Sequence, residues 1–265
     1  ASWMIAKSVF GALGAQLVVV GDEPNGMNIN EGCGSMHVDK LAALVREKHL
    51  DMGFAFDGDA DRCLAVDENG NIVDGDAIMY ILAKRLKNRG MLNKNTVVPT
   101  IMSNSGFFKS LDKLGIKTEQ TTVGDRFVYE CMQANNYSLG GEQSGHIIIK
   151  KYATTGDGLL TAIMLAEEVC DTKSSLGALT EGLTLYPQLV KNVKVTDKDA
   201  VFNDEAVKAV FAEVEELIGG EGRALLRKSG TEPKIRVMIE AVSEELCEEY
   251  ANKIVNVILE RGYGA

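Results

Sequence analysis

The stretch Met52-Gly53-Phe54-Ala55-Phe56-Asp57-Gly58-Asp59-Ala60-Asp61-Arg62-Cys63-Leu64-Ala65-Val66 places two short apolar runs on either side of a turn that carries three aspartates at alternate positions. Runs this short, bounded by turn residues, read as strands. Three carboxylates can converge on one hard cation if the backbone between them turns, and Gly58 permits the turn. A solvated acidic turn is the plainer reading of the same residues. Asp57, Asp59, Asp61 and Glu68 also occupy the first, third, fifth and twelfth places of an EF-hand calcium loop. Against that reading, Arg62 stands where the loop needs glycine, and the flanks are strand-like rather than helical.

Working outward, Trp3, Ile5, Val9, Phe10 and Leu13 recur at helical spacing before Gly14, and Leu17-Val18-Val19-Val20 reads as a buried strand. Val38, Leu41, Leu44 and Val45 mark a second helix. On the other side, Glu68-Asn69-Gly70-Asn71 is a hairpin turn, and residues 76–86 form a helix with an acidic N-cap. Strand and helix go on alternating through Val97-Val98, helix 104–114, strand 116–121, helix 126–133, Ile147-Ile148-Ile149 and helix 157–169. This is the alternation of α/β layers. Past Tyr186-Pro187 the texture changes to strand, long helix, strand, strand and helix, a small α+β unit, with a domain boundary near residue 185.

The 265 residues are 45% hydrophobic and 25% charged, which excludes disorder, a collagen-like repeat and a coiled coil as overall descriptions. No apolar run approaches the roughly 20 residues a membrane helix needs, and residues 1–7 do not read as a signal peptide, so a cytoplasmic protein without a membrane partner is expected. Cys33, Cys63, Cys131, Cys170 and Cys247 are odd in number, widely spread and free of any C-x-x-C pair, so they read as reduced packing residues. With 38 acidic and 28 basic side chains the net charge is −10, which disfavours nucleic acid as a partner. An anionic ligand must then be caught by a local cationic cluster.

One such cluster is Arg227-Lys228-Ser229-Gly230-Thr231-Glu232-Pro233 with Arg236 close behind. Guanidiniums, hydroxyls and the N–H groups freed by Gly230 make the donor set of a phosphate dianion, although an isolated basic turn has the same composition. In Gly140-Gly141-Glu142-Gln143-Ser144-Gly145-His146, Glu142 and Ser144 share a side if the chain is extended, and a carboxylate beside a hydroxyl suits the gripping of sugar hydroxyls. His146 can be a proton carrier or a structural hydrogen-bonder. Val123-Gly124-Asp125-Arg126 reads equally as a recognition loop or as a helix start capped by Asp125. Ser103-Asn104 reads as a helix cap, and Thr154-Thr155-Gly156-Asp157-Gly158 as a turn into the next helix.

Taken in this order, residues 57–62, 123–126, 142–146 and 227–233 resemble the α-D-phosphohexomutase family, and the wording is nearest to its bacterial glucosamine-phosphate branch. The resemblance spans essentially the whole chain. It implies mixed-sheet, three-layer α/β phosphohexomutase-type domains followed by a small α+β C-terminal domain: residues 1–69 as the remainder of a metal-binding second domain, 70–185 as a sugar-binding third and 186–265 as a phosphate-binding fourth. By resemblance, Asp57, Asp59 and Asp61 hold Mg2+, with Arg62 beside the phosphoryl group in transit. His146 lies near the reacting oxygen, Glu142 and Ser144 hold sugar hydroxyls, and Arg126 recognises the sugar in two orientations. Arg227, Ser229, Gly230, Thr231 and Arg236 bind the non-reacting phosphate. The implied reaction interconverts glucosamine 6-phosphate and glucosamine 1-phosphate through glucosamine 1,6-bisphosphate, on the route to amino-sugar precursors of the cell wall, and Gln143 favours glucosamine by resemblance only.

The family's phosphoryl-carrying serine lies in a Ser-His-Asn-Pro type loop, and the prolines here, Pro24, Pro99, Pro187 and Pro233, lie in no such setting. The expectation is a C-terminal portion of a mutase, without the phosphoserine domain and nearly inactive alone. An apolar sheet edge near residues 1–20 is then expected to self-associate, a homodimer being one form of this. The alternatives are a mannose- or glucose-phosphate mutase of the same family, a non-catalytic phosphosugar-binding module, and a calcium-binding module.

Overall fold

A computed structural model describes residues 2–230 and 232–265. The chain forms two compact units, one running to Ser103 and continuing over Phe107–Leu183, the other made of Thr184–Ala265 with Asn104–Gly106.

The first unit begins with α1 (Trp3–Ala12), followed after a turn-rich stretch by α2 (Val38–Lys48). Strands β1 (Gly53–Phe56), β2 (Cys63–Val66) and β3 (Ile72–Val73) form an antiparallel sheet in that order. Their side chains alternate between two faces. Val66 packs with Ala42 and Val45 of α2, while Cys63 packs with Phe10 of α1, whose ring stacks on Phe54 at 5.6 Å. The expected division at 69/70 falls within the β2–β3 hairpin of this one sheet.

Next come α3 (Gly75–Asn88), β4 (Thr96–Pro99), α4 (Ser105–Lys113), β5 (Lys117–Thr118), α5 (Asp125–Asn135), β6 (Leu139–Gly141), β7 (Ile147–Ile149), α6 (Gly158–Thr172) and α7 (Leu176–Leu179). The second sheet has the order β5-β4-β6-β7, with β5 and β6 parallel to β4 and β7 antiparallel to β6. Adjacent residues again serve opposite faces. Val97, Ile147 and Ile149 join the core with α3 and Phe107, whereas Val98 and Ile148 join Val128 and Met132 of α5. The result is the layered, mixed-sheet α/β architecture expected.

The second unit contains β8 (Gln188–Lys194), α8 (Lys198–Asn203), α9 (Glu205–Ile218), β9 (Arg223–Lys228), β10 (Lys234–Glu240) and α10 (Glu244–Glu260). Its antiparallel sheet has the order β8-β10-β9. Ile235, Val237 and Ile239 pack on Val207, Val210, Val214, Ile254 and Ile258 of the two long helices. This is the small α+β unit anticipated from the change of texture.

One strand expectation fails. Residues 15–20 have no regular structure, and Leu17, Val18, Val19 and Val20 are exposed. An apolar run becomes a strand only when a neighbour takes its N–H and C=O groups, and none among the described residues does. No described helix is long and apolar enough to cross a membrane. All five cysteines are free thiols.

Candidate functional site

The three aspartates meet. Asp57, Asp59 and Asp61 sit on the β1–β2 turn, and one carboxylate oxygen of each lies within 4.8 Å of the others. The turn is tight: the Ala60 N–H donates to Asp57 O at 3.1 Å, and Ala60 takes φ +63°, a left-handed conformation that costs a residue with a Cβ about 1 kcal/mol. Outside contacts hold it there. The Gly158 N–H donates to Ala60 O at 3.0 Å, an approach that a Cβ at Gly158 would block by meeting Arg62 O at 2.4 Å.

The geometry tests the cation reading. Three like charges this close repel unless a cation neutralises them, and flexible oxygen donors on a turn between strands fit Mg2+. Arg62 supplies part of the neutralisation, its Nε lying 3.8 Å from Asp57 Oδ2 and 3.9 Å from Asp61 Oδ1. Its side chain remains partly exposed. The calcium-loop reading does not fit, because the Glu68 carboxylate accepts from the Ser175 hydroxyl and the Gly177 N–H at the start of α7.

Glu142, Gln143, Ser144 and Gly145 make the turn between β6 and β7, closed by the Gly145 N–H to Glu142 O bond at 3.0 Å. Gly145 has φ +93°, and a Cβ there would lie 2.3 Å from Cys63 O. Through this contact the β6–β7 turn abuts the β1–β2 turn, and the Cys63 N–H donates to Gly145 O at 3.0 Å. Although the chain turns rather than extends, Glu142 and Ser144 still come together, the Ser144 hydroxyl lying 3.3 Å from Glu142 Oε2. Gln143 is tied back to α3: its carbonyl accepts the Gly75 N–H and its amide donates to the helix cap Asp74 at 3.4 Å. Burial pushes the Asp74 carboxyl up, against hydrogen bonds from Ala77 and Gln143.

His146 follows directly on the β6–β7 turn and reaches the aspartate loop. Its side chain is only 3% exposed, with Nδ1 3.0 Å from Asp61 Oδ2 and Nε2 accepting the Gly156 N–H at 2.9 Å. Arg126 sits in the first turn of α5, exposed and paired with Glu130 at 2.7 Å. The N-cap of α5 is Gly124 rather than Asp125, and no side chain caps it. Glu142 Oε1 accepts the Gly124 N–H at 3.1 Å. Sequence reasoning missed Gly156 and Gly158 as parts of this cluster. The glycine pair in 154–158 was the available signal.

In the second unit, Arg227 and Arg236 are direct cross-strand partners on β9 and β10. Like charges directly opposite destabilise a ladder, so the pair is placed against the interest of the strands themselves. No ion pair within 4 Å engages either guanidinium among the described residues. Ser229 is buried; its Oγ accepts the Glu232 N–H at 3.3 Å and its own N–H donates to Lys234 O at 2.9 Å. Gly230 is the exposed head of this turn. Thr231 lies outside the described residues.

Comparison with known proteins agrees with this architecture. Three models of one family match in chain order: phosphoglucomutase/phosphomannomutase alpha/beta/alpha domain II over residues 4–70, alpha/beta/alpha domain III over 74–186 and the C-terminal domain over 190–257. The chain belongs to the phosphoglucomutase/phosphomannomutase family. It is 52% identical over 262 residues to a phosphoglucosamine mutase of Lachnospira eligens, covering 99% of this chain and 58% of that protein. With a phosphoglucosamine mutase of Bacillus subtilis it shares 55% identity over 254 residues, covering 96% of this chain and 57% of that protein. The chain thus spans less than three fifths of the length of these relatives. Among solved structures, a family member from Burkholderia thailandensis superposes with a TM-score of 0.76 at 20% identity, covering 99% of this chain and 59% of that one. Aspergillus fumigatus N-acetylphosphoglucosamine mutase in complex with GlcNAc-6P and magnesium gives a TM-score of 0.76 at 18% identity, covering 98% of this chain and 60% of that one. These two share the fold.

Proposed function

We propose that the chain is the metal- and substrate-holding part of a phosphoglucosamine mutase, interconverting glucosamine 6-phosphate and glucosamine 1-phosphate through glucosamine 1,6-bisphosphate. The observation that carries this is the convergence of Asp57, Asp59 and Asp61 beside the Glu142–Ser144 turn, in a chain at least half identical to proteins of that name. Magnesium held by the three carboxylates would draw charge from phosphoryl oxygens. Phosphoryl transfer asks for positioning and charge neutralisation rather than covalent work from most side chains.

Each residue then has a definite task. Arg62, held by two of the aspartates, places its guanidinium against a phosphoryl oxygen. Glu142 accepts from sugar hydroxyls and Ser144 donates to or accepts from them, while Arg126 reads the sugar from the start of α5. In the second unit Arg227 and Arg236 share the charge of the non-reacting phosphate, with Ser229, Gly230 and Thr231 as its further ligands. The phosphoryl-carrying serine comes from outside this sequence, so the chain by itself binds phosphosugar and turns it over little.

A 31P NMR time course tests the reading. Glucosamine 6-phosphate, Mg2+ and a trace of glucosamine 1,6-bisphosphate are expected to give a static spectrum with a broadened substrate resonance. Equal broadening of glucose and mannose 6-phosphates would reassign the sugar within the family. Sharp lines for all three would overturn the substrate-binding reading, and a growing glucosamine 1-phosphate signal would overturn the need for an outside serine.

A further inference from the structure

The turn that carries Ser229 and Gly230 is held from outside by the short helix α8. Asp197 caps this helix, accepting the N–H groups of Asp199 and Ala200 at 2.8 and 3.0 Å, and Val201 anchors it in the same core as Val207 and Ile254. Its first residue, Lys198, reaches the main chain of the turn: Nζ donates to Ser229 O at 2.7 Å and to Glu232 O at 3.2 Å. Asp199, next along, pairs with Lys228, whose ammonium also lies 4.8 Å from the centre of the Phe202 ring. The remaining links of the turn are backbone alone. The Ser229 N–H donates to Lys234 O at 2.9 Å, the Lys234 N–H to Glu232 O at 2.8 Å and the Val195 N–H to Pro233 O at 3.0 Å. Among the described residues, only Lys198 donates to Ser229 O.

That bond fixes more than one atom. In a trans peptide the C=O and the N–H of the next residue point in opposite directions, and no cis bond occurs among the described residues. Drawing Ser229 O toward α8 therefore aims the Gly230 N–H away from the helix, where no described residue accepts it. Gly230 is exposed, its φ is not left-handed, and a Cβ on it would meet nothing within 4 Å, so neither backbone nor packing calls for glycine there. An uncommitted N–H on a bare turn suits an anion.

We propose that Lys198 is a positioning residue for the substrate's phosphate: by holding Ser229 O it sets the 229–230 peptide so that the Gly230 N–H is presented to the anion. The proposal rests on the reading of Arg227, Ser229, Gly230 and Arg236 as phosphate ligands. Without Lys198 this peptide is free to turn over, and binding must then order it, a cost that a preset donor avoids.

Binding of glucosamine 6-phosphate to the 265-residue chain, followed by 15N–1H spectra, reports on the Gly230 amide itself. Lys198→Met keeps the length of the side chain and removes the donor, while Lys198→Arg restores donors. The expected result is Lys198→Met about tenfold weaker and Lys198→Arg within about threefold of the wild type. Both should keep the wild-type circular dichroism and the wild-type affinity for Mn2+ in place of Mg2+. In ligand-free Lys198→Met the steady-state 15N–1H NOE of Gly230 should fall below that of the wild type. Wild-type binding by Lys198→Met, equal weakening in both variants, or weakening with an unchanged Gly230 NOE, the mark of a role through charge alone, would overturn the positioning role. If Lys198→Met does not fold, the wild type decides: a Gly230 amide proton that moves downfield as binding saturates supports the inference, and one that stays put overturns it. No saturable binding by the wild type removes the phosphate reading and the positioning role together.

Discussion

Glu142 Oε1 accepts the backbone N–H of Gly124 at 3.1 Å, so the turn between β6 and β7 holds the loop that launches α5 and Arg126. One carboxylate is therefore both a ligand candidate and a strut. Glu142→Ala leaves a partly buried N–H without its acceptor, and is expected to cost the first unit about 1–3 kcal/mol in urea unfolding. Glu142→Gln keeps an acceptor oxygen and should stay within about 0.5 kcal/mol of wild type. If both variants weaken glucosamine 6-phosphate binding but only the alanine loses stability, the two tasks are separated.

The metal loop yields a second expectation. Asp59 is the exposed member of the triad, so Asp59→Asn should leave the metal-free melting temperature unchanged or slightly raised by relieving repulsion. The wild type should gain about 2.7 kcal/mol when Mg2+ is present at one hundred times its Kd, and lose it to EDTA. Calorimetric scans with and without Mg2+ would show the gain in the wild type only.

For the second unit, the Arg227–Arg236 pairing across β9 and β10 makes an opposite pair of forecasts for one substitution. Arg227→Ala removes a like-charge neighbour, so stability should hold or rise. Phosphosugar binding should fall by about 1.5–3 kcal/mol, the worth of a charged hydrogen bond, with Mn2+ affinity unchanged. Isothermal titration with each ligand checks both.

Acid response in the same unit centres on Asp204. Burial alone would raise its carboxyl, but the Tyr263 hydroxyl, the Arg261 guanidinium and the N–H groups of Val207 and Ala206 outweigh it and hold the group at about 2 instead of 3.8. A depressed carboxyl stabilises the fold above its unfolded value, and that contribution is lost as pH falls through its folded value. Unfolding midpoints taken from about pH 5 down to about pH 2 should therefore fall more steeply for the wild type than for Asp204→Asn, the two curves converging at the acid end.

Local signals were legible in the sequence, and long-range contacts were not. Alternate aspartates between two apolar runs announced the acidic loop, because the turn and its carboxylates are neighbours in the chain. The His146–Asp61 bond joins residues 85 apart, and nothing short of the fold brings the β6–β7 turn onto the β1–β2 turn. Arg227 and Arg236 were visible as charges flanking a turn, whereas their direct opposition depends on strand register. Leu17 to Val20 looked like a strand because composition reports burial potential, not the presence of a partner edge. Gly124 rather than Asp125 is the cap of α5, and its N–H is tied to Glu142, a partner distant in sequence.

The β1–β2 and β6–β7 turns touch through main chain at Gly145, where a Cβ would strike Cys63 O, and glycines at the starts of α6 and α3 let those helices approach them, a Cβ at Gly158 striking Arg62 O and one at Gly75 striking Glu142 O at 2.0 Å. Turns joined by backbone keep a spacing indifferent to which side chains decorate them. A side chain at Gly75, Gly145 or Gly158 must push these backbones apart, whereas the side chains of residues 142–144 take no part in the main-chain contacts.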